Sequence, residues 1–539
     1  MNSNKIWYSH YPQHIAPEIT IPDKSIPQIL QDTVSKYPNH TSITFYHKKL
    51  SFKEVQNAVK AFASSLQKNG IQKGDRVAIM LPNCPQYVIS FYGILSTGAI
   101  VTQVNPMSVA RELKHLLNDS ESETMIVLGS LYPLVKAILP ETKLRKVIVV
   151  NLTQTEESFD GHTTFENFLT EGNGIVLPIS IDPSEDIAVL QYTGGTTGRS
   201  KGVMLTHRNL LANVMQSQEF FKGSIEIAKE RSLSVIPFFH VYGMNISMNL
   251  SILMANEMII LPRFDVMEVL TTIKNKQPTL FPGVPTMYVA IINHPDAENY
   301  GIDCIKVCNS GSAPMPVELI NQFEKKTGAK ILEGYGLSEA SPTTHCNPAF
   351  AERKPGTVGF GLPSTDYKIV DLATGTVEVP VGEVGELIVK GPQVMKGYWN
   401  MPEETAHTLK DGWLFTGDIS RIDDEGYLSI VDRKKDMIIA SGYNIYPREI
   451  EEILYEHPSV QEAVVIGVPD TYRGETVKAV IVLKVGENTS EDEILQFCQS
   501  NLSSYKVPKM IEFRDQLPKT NVGKILRRAL RETENSKTV

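Results

Sequence analysis

Short apolar runs alternate with helix-period stretches along the first third of the chain, and the two periods separate cleanly. Residues 41–45 and 49–52 flank a polar turn and read as a hairpin. Ser51 followed by Glu54 has the spacing of a capping box that opens a helix, and Gly70 can end that helix. Residues 76–80 then read as a strand, 86–96 as a helix, 99–104 as a strand and 110–117 as a helix. This rhythm predicts a mostly parallel sheet covered by helices. Residues 151–186 are polar and acidic with little periodicity, and read as a surface connection into the strand-like run 187–190. After Asp432 the texture changes. A dense charged run, Arg433-Lys434-Lys435-Asp436, precedes a compact pattern of helix (447–455), strand (462–467), strand (477–484) and helix (491–502). The reading is an α/β protein: a large N-terminal α/β domain over residues 1–432 with a mixed sheet core, and a small C-terminal α+β domain over 433–539.

Composition narrows the function classes. A chain of 539 residues exceeds one ordinary core, in keeping with two domains. A formal net charge of −9 argues against a general nucleic-acid binder, because neutralising phosphates needs a basic surface. It leaves room for a local basic pocket. Cys84, Cys304, Cys308, Cys346 and Cys498 are few and scattered, as expected of reduced thiols in a cytoplasmic protein. Cys304 and Cys308 have no second Cys/His pair nearby to complete a metal site. Residues 1–21 lack the apolar centre of a signal peptide. No run of about 18 apolar residues occurs, so no transmembrane helix is expected. Peripheral membrane contact and a homodimer stay open.

The strongest chemical signal is Tyr192-Thr-Gly-Gly-Thr-Thr-Gly-Arg-Ser-Lys-Gly202, directly after an apolar strand-like run. Gly194, Gly195 and Gly198 permit unusual dihedrals and let N–H groups approach an anion. Thr193, Thr196, Thr197 and Ser200 add hydroxyl donors, and Lys201 adds charge. The set suits a polyphosphate. It is not a Walker loop, because Gly202 rather than Ser or Thr follows Lys201.

This loop resembles the phosphate loop of the adenylate-forming superfamily, which includes acyl-CoA synthetases, luciferases and peptide-synthetase adenylation domains. Further segments match that family in order. Pro237-Phe-Phe-His-Val-Tyr-Gly243 resembles the aromatic/His segment beside the acyl pocket, and Asn309-Ser-Gly-Ser-Ala-Pro314 the adenine-contacting turn. Glu333-Gly-Tyr-Gly-Leu-Ser-Glu339 resembles the nucleotide and magnesium segment. Gly412-Trp-Leu-Phe-Thr-Gly-Asp418 and Asp432-Arg433 resemble the ribose-binding pieces. Gly442-Tyr-Asn-Ile-Tyr-Pro447 resembles the loop of the thioester step, and Pro518-Lys-Thr-Asn-Val-Gly-Lys524 the segment with the catalytic lysine. The resemblance spans nearly the whole chain.

It implies ATP, Mg²⁺ and CoA as cofactor and co-substrates. Glu339 and Thr193 would hold Mg²⁺, a hard cation that prefers oxygen. Gly311, Ser312, Ala313, Glu333, Gly334, Tyr335, Gly336 and Ser338 would contact the nucleotide, with Tyr335 stacked on adenine. Asp418 would accept both ribose hydroxyls, next to Arg433. Lys524 would bridge the attacking carboxylate and the phosphate, and His240 would line the acyl entrance. Lys435 would be the hinge of a mobile small domain, and Gly442 and Tyr443 would serve the thioester step. Outside the motifs, Glu339 would read as a surface carboxylate, Asp418 as a turn residue and Tyr335 as core. Ser200 stands where many members have Pro, and Gly194 where many have Ser or Thr. Some long-chain enzymes carry a Trp gate after the His segment, where this chain has Met244.

Amino-acid adenylation would need an Asp in the aromatic segment to pair with an ammonium, and Phe238-Phe239-His240 has none. Only 15 residues follow Lys524, too few for a fused carrier domain. Gln191-Tyr-Thr-Gly-Gly and Gly442-Tyr-Asn-Ile-Tyr-Pro-Arg-Glu-Ile-Glu451 look most like bacterial long-chain fatty acid–CoA ligases. Aryl-CoA ligases share the Phe-His segment and are the alternative. A ligase that passes the acyl group to a separate carrier protein remains a third reading.

Overall fold

The computed structural model describes residues 5–152, 162–193, 200–440, 443–470, 473–520 and 524–537. The first strands behave as their patterns require. Thr41–Phe45 pairs antiparallel with Lys48–Ser51, and Ser51 and Glu54 form the reciprocal cap of helix Phe52–Lys68. Arg76–Met80 lies between Ile100–Gln103 and Thr124–Leu128, parallel to both.

The mixed sheet core of the large body is built on two sheets. An eight-stranded sheet is parallel through its centre, and its edge is closed by the antiparallel strands Lys201–Thr206 and Gly397–Tyr398. A nine-stranded sheet collects strands from Arg231–Ser234 to Phe360–Gly361, together with the first hairpin. One apolar cluster joins helices of both sheets, with Phe52, Phe62, Phe91, Tyr92 and Phe238 fully buried. A five-stranded antiparallel sheet follows, from Asp366–Val370 to Leu428–Arg433.

Residues 151–186 are more than a surface connection. Among them, helix Phe165–Glu171 is capped by Thr164, whose hydroxyl accepts from the Asn167 N–H. Phe165 stacks on Phe62 at 5.3 Å and Phe168 meets it edge-on at 5.2 Å, and burying such a ring contributes ~1.5–3 kcal/mol. Two anchors within seven residues give no 3.6-residue repeat to read.

The C-terminal residues form a separate five-stranded sheet dominated by Val460–Asp470 against Gly474–Leu483, with its own core of Ile438, Ile450, Val465, Ala479 and Ile494. No helix among the described residues is long and apolar enough to cross a membrane. All five cysteines are free, and no cluster of metal-ligating side chains occurs among the described residues.

Candidate active site

The Gly/Thr-rich loop joins strand Ile187–Thr193 to strand Lys201–Thr206, and Thr193 lies directly opposite Lys201. Gly194, Gly195, Thr196, Thr197 and Gly198 lie outside the described residues. At the loop's exit the Ser200 hydroxyl donates to the Thr193 carbonyl at 2.8 Å. Lys201 is buried and forms an ion pair with Glu404, with its ammonium 5.2 Å from the Tyr398 ring centroid.

The second wall is strand Ile331–Gly336 and the turn Ser338–Ala340. Gly336 is required there, since a Cβ would collide with the Pro342 carbonyl. Tyr335 donates its hydroxyl to Asp418 Oδ2 at 2.6 Å. Asp418 faces Arg433 across the strand pair, with Arg433 Nε 3.4 Å from Oδ1. Glu339 accepts at Oε1 from the Tyr398 hydroxyl at 2.8 Å, leaving Oε2 without a hydrogen bond among the described residues. Glu333 points elsewhere. Its carboxylate accepts from the Gly356 N–H at 3.0 Å, and burial pushes its pKa up to about 8 despite the charge of Arg448.

Asn309 organises the turn that follows strand Val307–Ser310. Its carbonyl accepts from the hydroxyls of Tyr242 and Tyr288, both at 3.0 Å. A Cβ at Gly311 would lie 3.1 Å from the Tyr242 ring, and one at Gly334 would lie 3.1 Å from Asn309 Nδ2. Ser312 adopts a φ of 69° and leads into the half-buried Ala313. Ser310 ends the strand with a buried hydroxyl that has no partner among the described residues.

The aromatic segment 237–243 turns into a π-helix, Gly243–Asn249, of the wide kind often found at functional sites. A Cβ at Gly243 would strike the Pro237 carbonyl. His240 accepts at Nδ1 from the Tyr242 N–H at 3.2 Å. Burial, then the charge of Lys524, pushes its pKa down to about 4, so the imidazole is neutral. Met244 is fully buried and its sulfur meets Gln103 Nε2 at 3.0 Å.

Lys524 belongs to the small domain but feels the charge of Asp418 in the large one. Burial lowers its pKa to about 7, helped by Arg433 and Lys435 and opposed by Asp418 and Asp436. The Lys524 N–H donates to the Thr520 hydroxyl at 3.1 Å, and the Thr520 N–H returns a bond to the Lys524 carbonyl at 2.7 Å. Arg527 braces this segment through Glu451 at 2.6 Å and Asp436 at 3.6 Å, and Arg531 meets Asp436 at 3.0 Å. Burial and its neighbour Arg433 lower the pKa of Lys435. Gly442 lies outside the described residues. Tyr443 is exposed and stacks on Tyr505 with centroids 4.8 Å apart.

The structure thus brings Tyr335, Asp418, Arg433, Lys435, Lys524 and His240 into one electrostatic neighbourhood, and Glu339 beside Lys201. Tyr398 and Glu404, which touch Glu339 and Lys201, escaped the motif reading. The acid-rich Pro402-Glu-Glu404 was their only visible signal.

The family model for AMP-binding enzymes matches residues 30–399, and that for the AMP-binding enzyme C-terminal domain matches 449–524. A long-chain-fatty-acid–CoA ligase of Bacillus subtilis (strain 168) is 50% identical, with 99% of each chain covered. One from Escherichia coli O6:H1 is 37% identical, also over 99% of each chain. The crystal structure of ATP-bound MatB from Rhodopseudomonas palustris superposes with a TM-score of 0.87 at 30% identity, covering 95% of this chain and 99% of that one.

Proposed function

The chain belongs to the AMP-binding enzyme family, and on that premise we infer an AMP-forming acid–thiol ligase. It activates a long-chain fatty acid with ATP to acyl-AMP, then transfers the acyl group to CoA, releasing AMP and pyrophosphate. The observation that carries this reading is the charge cluster in which buried Lys524 of the small domain feels Asp418 of the large body and the Arg433 that pairs with it.

A carboxylate that attacks the α-phosphorus of ATP approaches like charge, so positive potential must collect where they meet. Lys524 and Arg433 supply it. Asp418 accepts the ribose hydroxyls, and Tyr335 both orients that carboxylate and offers its ring to adenine. Lys201 draws on the polyphosphate once Glu404 releases it. Thr193 and Glu339 provide the hydroxyl and carboxylate oxygens that Mg²⁺ prefers, and Glu339 Oε2, without a hydrogen bond among the described residues, fits that role. Bound there, Mg²⁺ would neutralise charge on the departing pyrophosphate. Neutral His240 lines the acyl entrance beside Phe238 and Phe239, with no acid to pair with an amino-acid ammonium.

A CoA-dependent AMP-release assay across an acid panel tests the reading. An alkyl channel gains ~0.8 kcal/mol per buried CH₂, so specificity should rise with chain length until the channel is full. Medium-to-long saturated acids should exceed benzoate, cinnamate and amino acids. Preference for an aromatic acid would make this an aryl-CoA ligase. Turnover with a holo-carrier protein and none with CoA would make it a carrier-directed acyl-AMP ligase.

A further inference from the structure

The two-residue strand Gly397–Tyr398 closes the edge of the eight-stranded sheet, with Tyr398 opposite Val203 and Gly397 opposite Met204. It is fixed on both sides. The Trp399 N–H donates to the Gly202 carbonyl at 2.7 Å and the Lys396 N–H to the Met204 carbonyl at 3.0 Å. The Tyr398 N–H donates to the Thr405 hydroxyl at 2.9 Å. With its backbone pinned and its side chain buried, Tyr398 aims its hydroxyl at Glu339 Oε1, 2.8 Å away. The Met395 N–H takes the Glu339 carbonyl, also at 2.8 Å. One stretch of four residues therefore grips Glu339 by side chain and main chain.

A glutamate side chain has three rotatable bonds, and freezing them on cation binding costs free energy. A partner that holds the carboxylate beforehand removes part of that cost and aims the remaining oxygen. A purely structural reading is that Glu339 satisfies a buried phenol. The two readings differ in what they predict for metal binding.

We propose that Tyr398 is a positioning residue that orients Glu339 as a Mg²⁺ ligand and so sets the metal requirement of adenylation. This rests on the reading of Glu339 given above. The same stretch flanks Lys201, so the acidic and basic poles of the polyphosphate site share one support.

The test compares Tyr398→Phe, Glu339→Gln and the double variant. ATP binding is followed by calorimetry with Mg²⁺ and with EDTA, and the Mg²⁺ dependence of pyrophosphate exchange is measured alongside. Tyr398→Phe should raise the half-saturating Mg²⁺ concentration ~10-fold, the scale of losing an orienting partner. It should weaken ATP binding with Mg²⁺ but not with EDTA, and leave thioester formation from supplied acyl-AMP unchanged. Adding it to Glu339→Gln should have no further effect. Unchanged Mg²⁺ dependence in Tyr398→Phe, with a clear shift in Glu339→Gln, overturns the proposal. No shift in Glu339→Gln overturns the metal reading of Glu339 itself. Should Tyr398→Phe fold poorly, Glu339→Asp withdraws the carboxylate from an intact Tyr398. A normal Mg²⁺ requirement there overturns the metal reading of Glu339 and the proposal with it.

Discussion

Tyr335 donates to Asp418 Oδ2 at 2.6 Å while Arg433 Nε approaches Oδ1 at 3.4 Å, so both oxygens of one carboxylate are engaged before any ligand arrives. A hydrogen bond to a charged group is worth ~1.5–3 kcal/mol, enough to hold Asp418 in one rotamer. Burial and the Asp418 charge keep the phenol firmly protonated and a donor.

Tyr335→Phe should therefore loosen Asp418 and keep the ring. We expect KM for ATP to rise ~10–100-fold, the range of one lost charge-assisted hydrogen bond. Asp418→Ala should cost more and should erase discrimination between ATP and 2′-deoxy-ATP. Equal KM shifts for the two nucleotides in Asp418→Ala would separate this carboxylate from the ribose.

How much of this was legible beforehand depended on chain distance. Strand Arg76–Met80 and helix Ala110–Ser120 carry strong local periods and were readable almost to their ends. The short antiparallel strands between Asp366–Val370 and Leu428–Arg433 alternate burial weakly, and nothing local marks them as one sheet. The pair Tyr398–Glu339 is 59 residues apart and Lys201–Glu404 is 203 apart. Such contacts exist only once the sheet edge is built, so periodicity could not reveal them. Lys524 and Asp418 were visible through family resemblance alone, since neither differs in local pattern from an ordinary turn residue.

Lys524 gives adenylation a pH signature. With its pKa lowered to about 7 in the free enzyme, the charged form dominates only below that value. The kcat/KM of the adenylation half-reaction should fall as pH rises through about 7, because that quantity reports free-enzyme groups. Bound ATP and carboxylate favour the ammonium, so kcat should hold to higher pH. Lys524→Arg, which stays charged, should flatten the kcat/KM decline. Lys524→Ala should cut adenylation by ~10²–10³ while largely sparing thioester formation from supplied acyl-AMP. An unchanged pH profile in Lys524→Arg would assign the titration to another group.

Buried histidines give the fold an acid limit. His207 accepts at Nδ1 from the Ile26 N–H at 3.3 Å, and burial pushes its pKa from 6.5 down to about 4. The folded state thus binds fewer protons than the unfolded chain between these values. The stability from neutral His207 is complete above pH 6.5 and is lost as pH falls towards 4. At pH 5 the loss amounts to about 2 kcal/mol. His207→Gln removes the titration, so its urea midpoint should fall less than the wild type's between pH 7 and 5. Parallel declines would show that His207 does not carry the effect.

Docking of the small domain should be separable from its rotation. Arg448 clamps the docked state: its N–H donates to Asp432 Oδ2 at 2.9 Å, and its Nη1 to the Ile430 carbonyl at 2.6 Å. Its charge also faces Glu333 and Glu452, and Glu452 accepts from the Val317 N–H at 3.4 Å. Arg448→Ala leaves these acids without their counter-charge, so it should weaken the arrangement that brings Lys524 to Asp418. Adenylation should then fall ~10-fold, or about 1.4 kcal/mol, with thioester formation from acyl-AMP spared. Lys435 is the opposite case. Its backbone N–H makes no hydrogen bond among the described residues, so proline there removes none but fixes φ at the expected hinge. Lys435→Pro should keep pyrophosphate exchange and slow thioester formation by ~10-fold or more. Pyrophosphate exchange and thioester formation, measured on both variants, should therefore show reciprocal losses. If both variants lose the same half-reaction, or neither loses any, one fixed arrangement serves both steps and the rotation about Lys435 is wrong.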